Sequence, residues 1–252
     1  MRSIQHIHIE SIGGIAGDML LGALIDAGAD VDAITQTFSS INIQGLRLQW
    51  DHVTLNGLRA VHVQSLVGSA LDHDEESHAH HHFSDILAIL NRAAMSAKAR
   101  QLAVGIFEKL VWAESQVHGE TPDEVHLHEV GELDSILDVV GIAVAIDSMG
   151  HPTFSCSPLV SGSGFVKFSH GKLPVPTPAV RCLAERYGVP LVSAEIDGET
   201  ITPTGIAVLT HLSPDYLEKP VRRPLVVGIG AGTKRFASIP NVIKVHCYDT
   251  AI

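Results

Sequence analysis

The segment that most limits the fold is "GELDSILDVVGIAVAIDSM", residues 131–149. Its apolar residues keep helical spacing, and its second half is apolar nearly all round, so that half needs packing partners on every side. Such a helix sits centrally in a domain. The chain has the material for this: 45% of its 252 residues are hydrophobic, enough for one large core or two small ones. Glu132, Asp134 and Asp138 all fall in the first half of the segment.

Other segments add a sheet. Residues 4–10 alternate apolar and polar as a strand does, and "SIGGIAGDMLLGALIDAGAD" follows as a Gly-rich turn feeding a helix that stops at Gly28. Residues 46–50 and 58–66 have period-2 patterns around "HVTLNGLR", where Asn56-Gly57 signals a hairpin. A helix is expected to begin near Ser84, its N-cap. A longer one spans 96–118 with Leu102, Ile106, Leu110 and Val117 in register, ended by Gly119 and Pro122. Beyond Gly150 come short proline-containing β-like runs, short helices at 179–187 and 204–212, and strands at 225–229 and 242–248. No fixed-period repeat is visible. The prediction is an α+β fold: a mixed sheet with antiparallel hairpins packed against several helices, subdivided near Gly150.

A formal charge of −11 argues against nucleic acid, whose phosphates need clustered Lys and Arg. Cys156, Cys182 and Cys247 form no CxxC pair and leave an odd count, which suggests neither a disulfide framework nor a thiolate zinc site and fits a reducing cytoplasm. The N-terminus alternates instead of running apolar, and no segment approaches the ~20 apolar residues that span a bilayer, so a soluble, non-secreted, non-membrane protein is expected.

Histidine is the unusual component. There are 16, against 17 Lys plus Arg, and five crowd into "HDEESHAHHH" (His73, His78, His80, His81 and His82) in a polar stretch that reads as a loop. Imidazole nitrogens suit nickel, zinc or copper. A second concentration is "VHLHEVGELDSILD": on extended backbone His126 and His128 share a side, with Glu129 beside them, and Asp134 and Asp138 share a face of the following helix. Glu114 and His118 form another i, i+4 pair just upstream, as ligands or as an orienting pair. Alternatively, Glu132 and Asp134 complement the helix dipole and the histidines are ordinary surface residues.

Several turns offer anion-binding groups. "GGIAGDM" places Gly13, Gly14 and Gly17 before a helix, with Asp18 an odd neighbour for an anion unless a metal or a ligand hydroxyl meets it. It is neither a Walker loop nor a dinucleotide fingerprint, and a simple turn is the alternative. Lys167, His170 and Lys172 stand among glycines, Thr202 and Thr204 precede a helix, and "GIGAGTKRF" with Thr233 and Lys234 reads either as an anion turn or as a plain turn between strands. No nucleophile elbow or Cys nucleophile motif is present.

Taken together, "GGIAGDMLLGALIDAG", "AESQVHG", "VHLHEVGELDSILDVVG", "SGSGFVKFSHGKLPVPTPA", "ITPTG" and "GAGTKRFASIPNV" resemble, in collinear order from Ile7 to about Val245, the LarC family of nickel insertion proteins in nickel-pincer nucleotide cofactor synthesis. The resemblance implies a nickel chelatase or cyclometallase of the lyase class. Its substrate would be pyridinium-3,5-bisthiocarboxylic acid mononucleotide, with CTP and a divalent metal such as Mg or Mn driving the step. It makes His126, His128, Glu114, His118 and the loop histidines candidate nickel ligands. Glu129, Asp134, Asp138 and Asp18 become the acid–base candidates, and Gly14, Gly17, Lys167, His170, Thr202 and Thr204 the mononucleotide-binding candidates.

Two departures stand out: Glu10 occupies a position where many relatives have Asp, and the family's C-terminal domain, associated with CTP binding and oligomer assembly, does not appear in these residues. A separately encoded C-terminal subunit and a homo-oligomer are the implied partners. Two other readings compete. One is a nickel-storage or metallochaperone module built on the His-rich loop, and the other is a two-metal nucleotide hydrolase using Asp18, Asp134 and Asp138.

Overall fold

The computed structural model describes residues 3–43, 46–66, 82–127, 131–168 and 171–250. In chain order these form β1 (His6–Ser11), α1 (Gly17–Asp26), α2 (Val31–Ser40), β2 (Arg47–Leu55), β3 (Leu58–Leu66), α3 (Phe83–Arg92), α4 (Ala97–His118) and α5 (Leu133–Ser148). The remainder comprises β4 (Thr153–Cys156), β5 (Leu159–Ser163), β6 (Phe165–Phe168), β7 (Gly171–Pro174), α6 (Pro178–Tyr187), β8 (Leu191–Asp197), α7 (Pro203–Leu212), β9 (Asp215–Tyr216), β10 (Val226–Ala231) and β11 (Val242–Tyr248).

Seven strands make one mixed sheet in the order β2-β3-β10-β11-β1-β4-β9, while β5 pairs with β8 and β6 with β7 as two-stranded units. The fold class is α+β. β2 and β3 are the expected hairpin, with Asn56 at φ 50° and Gly57 at φ 81°, the left-handed conformations a tight hairpin turn requires. β1 lies between antiparallel β11 and parallel β4, so strands from both sides of Gly150 share this sheet.

Alternation along β1 sends Ile7 and Ile9, both fully buried, to the helix-covered face. There α1 crosses β3, β10 and β11 so closely that a Cβ on Gly230 would lie 1.7 Å from the carbonyl oxygen of Met19. α5 packs on α1 and α2 and, from its other side, on α4. It is the interior helix that its composition demands: Ile136, Leu137 and the run Val139 to Ile146 are buried. Each large aliphatic side chain in that run contributes about 1.5–3 kcal/mol on burial.

The ends of the elements follow local chemistry. Ser96 caps α4 through Ala99 N–H, and Gly119 closes it at φ 69°. α3 begins at Phe83 rather than after Ser84, because Asp85 reaches back to accept the His82 N–H at 2.9 Å. α2 was not expected from a Thr- and Ser-rich sequence of weak helix propensity. Asp30 caps it, and Ile34 and Phe38, one turn apart, anchor it in the core.

The other face of β1 is polar yet buried. Thr153 donates to the Gln5 carbonyl (3.2 Å), so its oxygen accepts from His6 Nδ1 (2.7 Å). The order then propagates: Ser155 donates to His6 Nε2 (2.7 Å), His8 Nδ1 donates to Ser155 (2.8 Å), and Ser157 donates to His8 Nε2 (2.9 Å). Both rings are thereby held neutral, and burial pushes His8 down to about 4. Next to them His246 Nε2 meets Glu10 Oε2 at 2.6 Å, with Lys219 3.8 Å from the same oxygen. Among the described residues, no helix is long and apolar enough to cross a membrane.

Candidate functional site

Three helices begin at one place. The turn between β1 and α1 runs beside the turn before α7: Ile15 N–H donates to the Thr200 carbonyl (2.9 Å), and Thr202 N–H donates to the Ile15 carbonyl (3.0 Å). Gly14, at φ 101°, allows that approach, since a Cβ there would fall 1.8 Å from the Thr200 oxygen. α5 arrives from the opposite side, and a Cβ on Gly17 would lie 2.5 Å from Asp138 Oδ2. The first turns of α1, α5 and α7 therefore border a cleft of about 370 Å³ lined by Ala16, Gly17, Asp18, Asp134, Ser135, Asp138, Thr202, Thr204 and Thr233, with Val63 and Gln64 of β3.

Its electrostatics are unusual for a set of helix N-termini. Burial pushes the Asp18 carboxyl up from an ordinary 3.8 to about 6, the Asp134 charge adding to the rise and the Met19 N–H at 2.8 Å opposing it. Asp138 lies well above the carboxylate range, first through burial and then through the charges of Asp18 and Asp134, although the Asp18 backbone N–H donates to it. Asp138 thus holds its proton to higher pH than an exposed aspartate does, while Asp18 gives its own up near 6. A carboxylate titrating near 6 is suited to proton transfer.

A smaller cavity of about 140 Å³ adjoins the cleft and shares Ala16, Asp18, Thr202 and Thr233 with it. Its remaining wall includes Glu199, Thr200, Lys234 and Asn241. Glu199 is only 6% exposed and pairs through Oε2 with Lys234 at 3.2 Å. Burial raises its pKa and Lys234 counters that. Asn241 holds the loop closed, donating from Nδ2 to the Lys234 carbonyl (3.1 Å) and accepting Gly232 N–H (3.0 Å).

Seven of the residues singled out in the sequence line the cleft together: Gly17, Asp18, Asp134, Asp138, Thr202, Thr204 and Thr233. Gly14 sits just behind, shaping the turn. Lys167 lies in the β6–β7 hairpin opposite Lys172 and lines neither cavity, because that hairpin is a separate two-stranded unit.

The proposed metal ligands fall into pairs. Glu114 and His118 are 3.4 Å apart on α4, with burial raising Glu114 to about 7, and the rings of His82 and His126 are 4.2 Å apart. His78, His80, His81, His128, Glu129 and His170 lie outside the described residues. Among the described residues, no three His, Cys, Asp or Glu side chains converge so as to hold a metal ion. Glu199 was missed in the sequence, where nothing in "DGETITPTG" marks it as buried. Thr233 and Lys234, for which the sequence leaves an anion turn and a plain turn open, line the smaller cavity, Thr233 facing the cleft as well.

The profile of the nickel insertion protein family matches residues 7–251. The chain belongs to that family. A pyridinium-3,5-bisthiocarboxylic acid mononucleotide nickel insertion protein of Desulfitobacterium hafniense is 37% identical over 246 residues, which are 97% of this chain and 58% of the relative. The protein of the same name from Geobacillus kaustophilus is 34% identical over 242 residues, 95% of this chain and 58% of the relative. The chain thus spans less than two thirds of the length of these relatives. No solved structure matches it.

Proposed function

We propose that this nickel insertion family member binds pyridinium-3,5-bisthiocarboxylic acid mononucleotide in the cleft between the first turns of α1, α5 and α7 and takes part in placing nickel in it. The observation that carries this reading is the meeting of Asp18, Asp134 and Asp138 in one cleft with hydroxyl donors and helix N-termini. Helix N-termini favour the thiocarboxylate groups. The carboxylates favour the pyridinium ring and the nickel ion. Bonding nickel to a ring carbon replaces a C–H bond, and the released proton goes to Asp18. Two thiocarboxylate sulfurs complete the pincer, and nickel stays divalent throughout.

We assign CTP, with Mg or Mn, to a C-terminal domain or subunit in the part of the longer relatives that this chain does not cover, since it spans 58% of their length. The test is calorimetric titration of the mononucleotide into the purified chain with and without nickel, beside Asp134→Asn. The reading predicts binding that strengthens with nickel and that Asp134→Asn weakens about tenfold, the loss of one charged contact. Absence of binding under both conditions would overturn it.

A second reading is that the His-rich segment gathers nickel and delivers it. The contact of His82, the last histidine of that segment, with His126 favours it. Nickel binding abolished by deleting residues 73–81, but kept in Asp134→Asn, would move the function to delivery.

A further inference from the structure

Among the buried side-chain atoms described, Glu199 Oε1 is the one carboxylate oxygen without a hydrogen-bond partner. Leaving such an acceptor unmade costs about 1–3 kcal/mol, and more when it is charged. The other oxygen of the same group is paired with Lys234, whose side chain is 52% exposed at the rim. Glu199 also lines the 140 Å³ cavity that opens beside Asp18. That cavity exceeds the share of a single water, about 30 Å³ in the liquid.

The chemistry of the missing partner can be narrowed. An ionised carboxylate only accepts hydrogen bonds, so the partner is a donor. Lys234 already neutralises the charge, so a second cation gains little there, and an anion would be repelled by Glu199 and Asp18. A neutral hydroxyl fits. The cavity joins the cleft through Ala16, Asp18, Thr202 and Thr233, so one ligand can occupy both, with an aromatic ring in the cleft and a small polyol in the annex.

We infer that the smaller cavity is a ribose subsite in which Glu199 Oε1 accepts a hydrogen bond from a hydroxyl of the mononucleotide's sugar. This rests on the proposed function, because it takes the ligand to be a mononucleotide with its ring beside Asp18. The phosphate then leaves the annex past Lys234, whose half-exposed side chain stands at the rim. Glu199 is a specificity residue in this scheme: it selects ribosyl over deoxy ligands and takes no part in proton transfer.

The experiment is a two-by-two titration of wild type and Glu199→Met, which keeps the side chain's length and removes its acceptor, with the mononucleotide and with its 2′,3′-dideoxyribosyl analogue. Wild type should prefer the ribosyl ligand by about tenfold or more, the usual value of a buried charged hydrogen bond. Glu199→Met should bind the two ligands alike, near the affinity of wild type for the dideoxy form. A preference that survives in Glu199→Met overturns the subsite, and so does equal binding of both ligands by wild type, which requires no variant to fold. If wild type binds neither ligand, the mononucleotide reading itself fails and the subsite fails with it.

Discussion

Asp18→Asn should make this protein more stable at neutral pH while removing the group proposed to take up the ring proton. Folding lifts the Asp18 pKa from 3.8 to about 6. A carboxylate raised by folding binds more protons in the native than in the unfolded chain between those values, so stability falls as pH rises through that window and stays lower above it. Each pKa unit corresponds to about 1.36 kcal/mol, which sets the cost of ionised Asp18 at about 3 kcal/mol above pH 6 and near zero below pH 4. Asparagine keeps the oxygen that accepts the Met19 N–H, at nearly the same size.

Urea unfolding of both proteins from pH 4 to 8 measures the difference directly. The variant should gain up to ~3 kcal/mol above pH 6, with the gain fading as pH falls through the window. A gain of the same size at every pH would mean that packing, not ionisation, is responsible. No gain at pH 7.5 would refute the claim that the native cleft holds a destabilised carboxylate.

Two more substitutions probe neighbouring features. Gly17→Ala would set a methyl group 2.5 Å from Asp138 Oδ2 and 2.8 Å from its Cβ, forcing α1 and α5 apart. Overpacking of this kind costs about 1–3 kcal/mol, so thermal denaturation should show a lowered midpoint, and an unchanged one would mean the helices adjust freely. His8 works in the opposite sense to Asp18. Its pKa drops from 6.5 to about 4, so the unfolded chain takes up the proton first, and the stability it contributes above pH 6.5 is lost as pH falls toward 4. His8→Gln should therefore lose less stability than wild type between pH 7 and 4.5, and parallel curves for the two proteins would count against the neutral ladder.

Much of this was legible in the sequence because it depends on local rules. The apolar run of residues 131–149 required an interior helix, Asn56-Gly57 required a hairpin, and Ser96 and Gly119 bounded α4. α2 was not legible, because Ile34 and Phe38 outweigh poor propensity only once there is a core to enter. In the site, Asp134 and Asp138 could be paired from their i, i+4 spacing, whereas their meeting with Asp18 depends on α1 and α5 crossing at Gly17. Glu199 could not be found at all: its burial and its pairing with Lys234 join residues that share no pattern.

The same cleft combines two opposing preferences, and their balance follows from proton occupancy. The N-termini of α1, α5 and α7 supply partial positive charge, which draws anionic groups and would ordinarily favour ionised aspartate. Burial and mutual repulsion overrule this for Asp18 and Asp138, so Asp138 keeps its proton while Asp18 gives its own up near pH 6, and the cleft is less negative than its composition suggests. In the proposed function an anionic thiocarboxylate then approaches without facing both full charges. A divalent cation entering after it would lower both pKa values and hold the carboxylates anionic when a proton acceptor is needed. That proton balance suits taking an anion first and a metal second, the order required if the sulfur ligands of nickel come from the substrate itself.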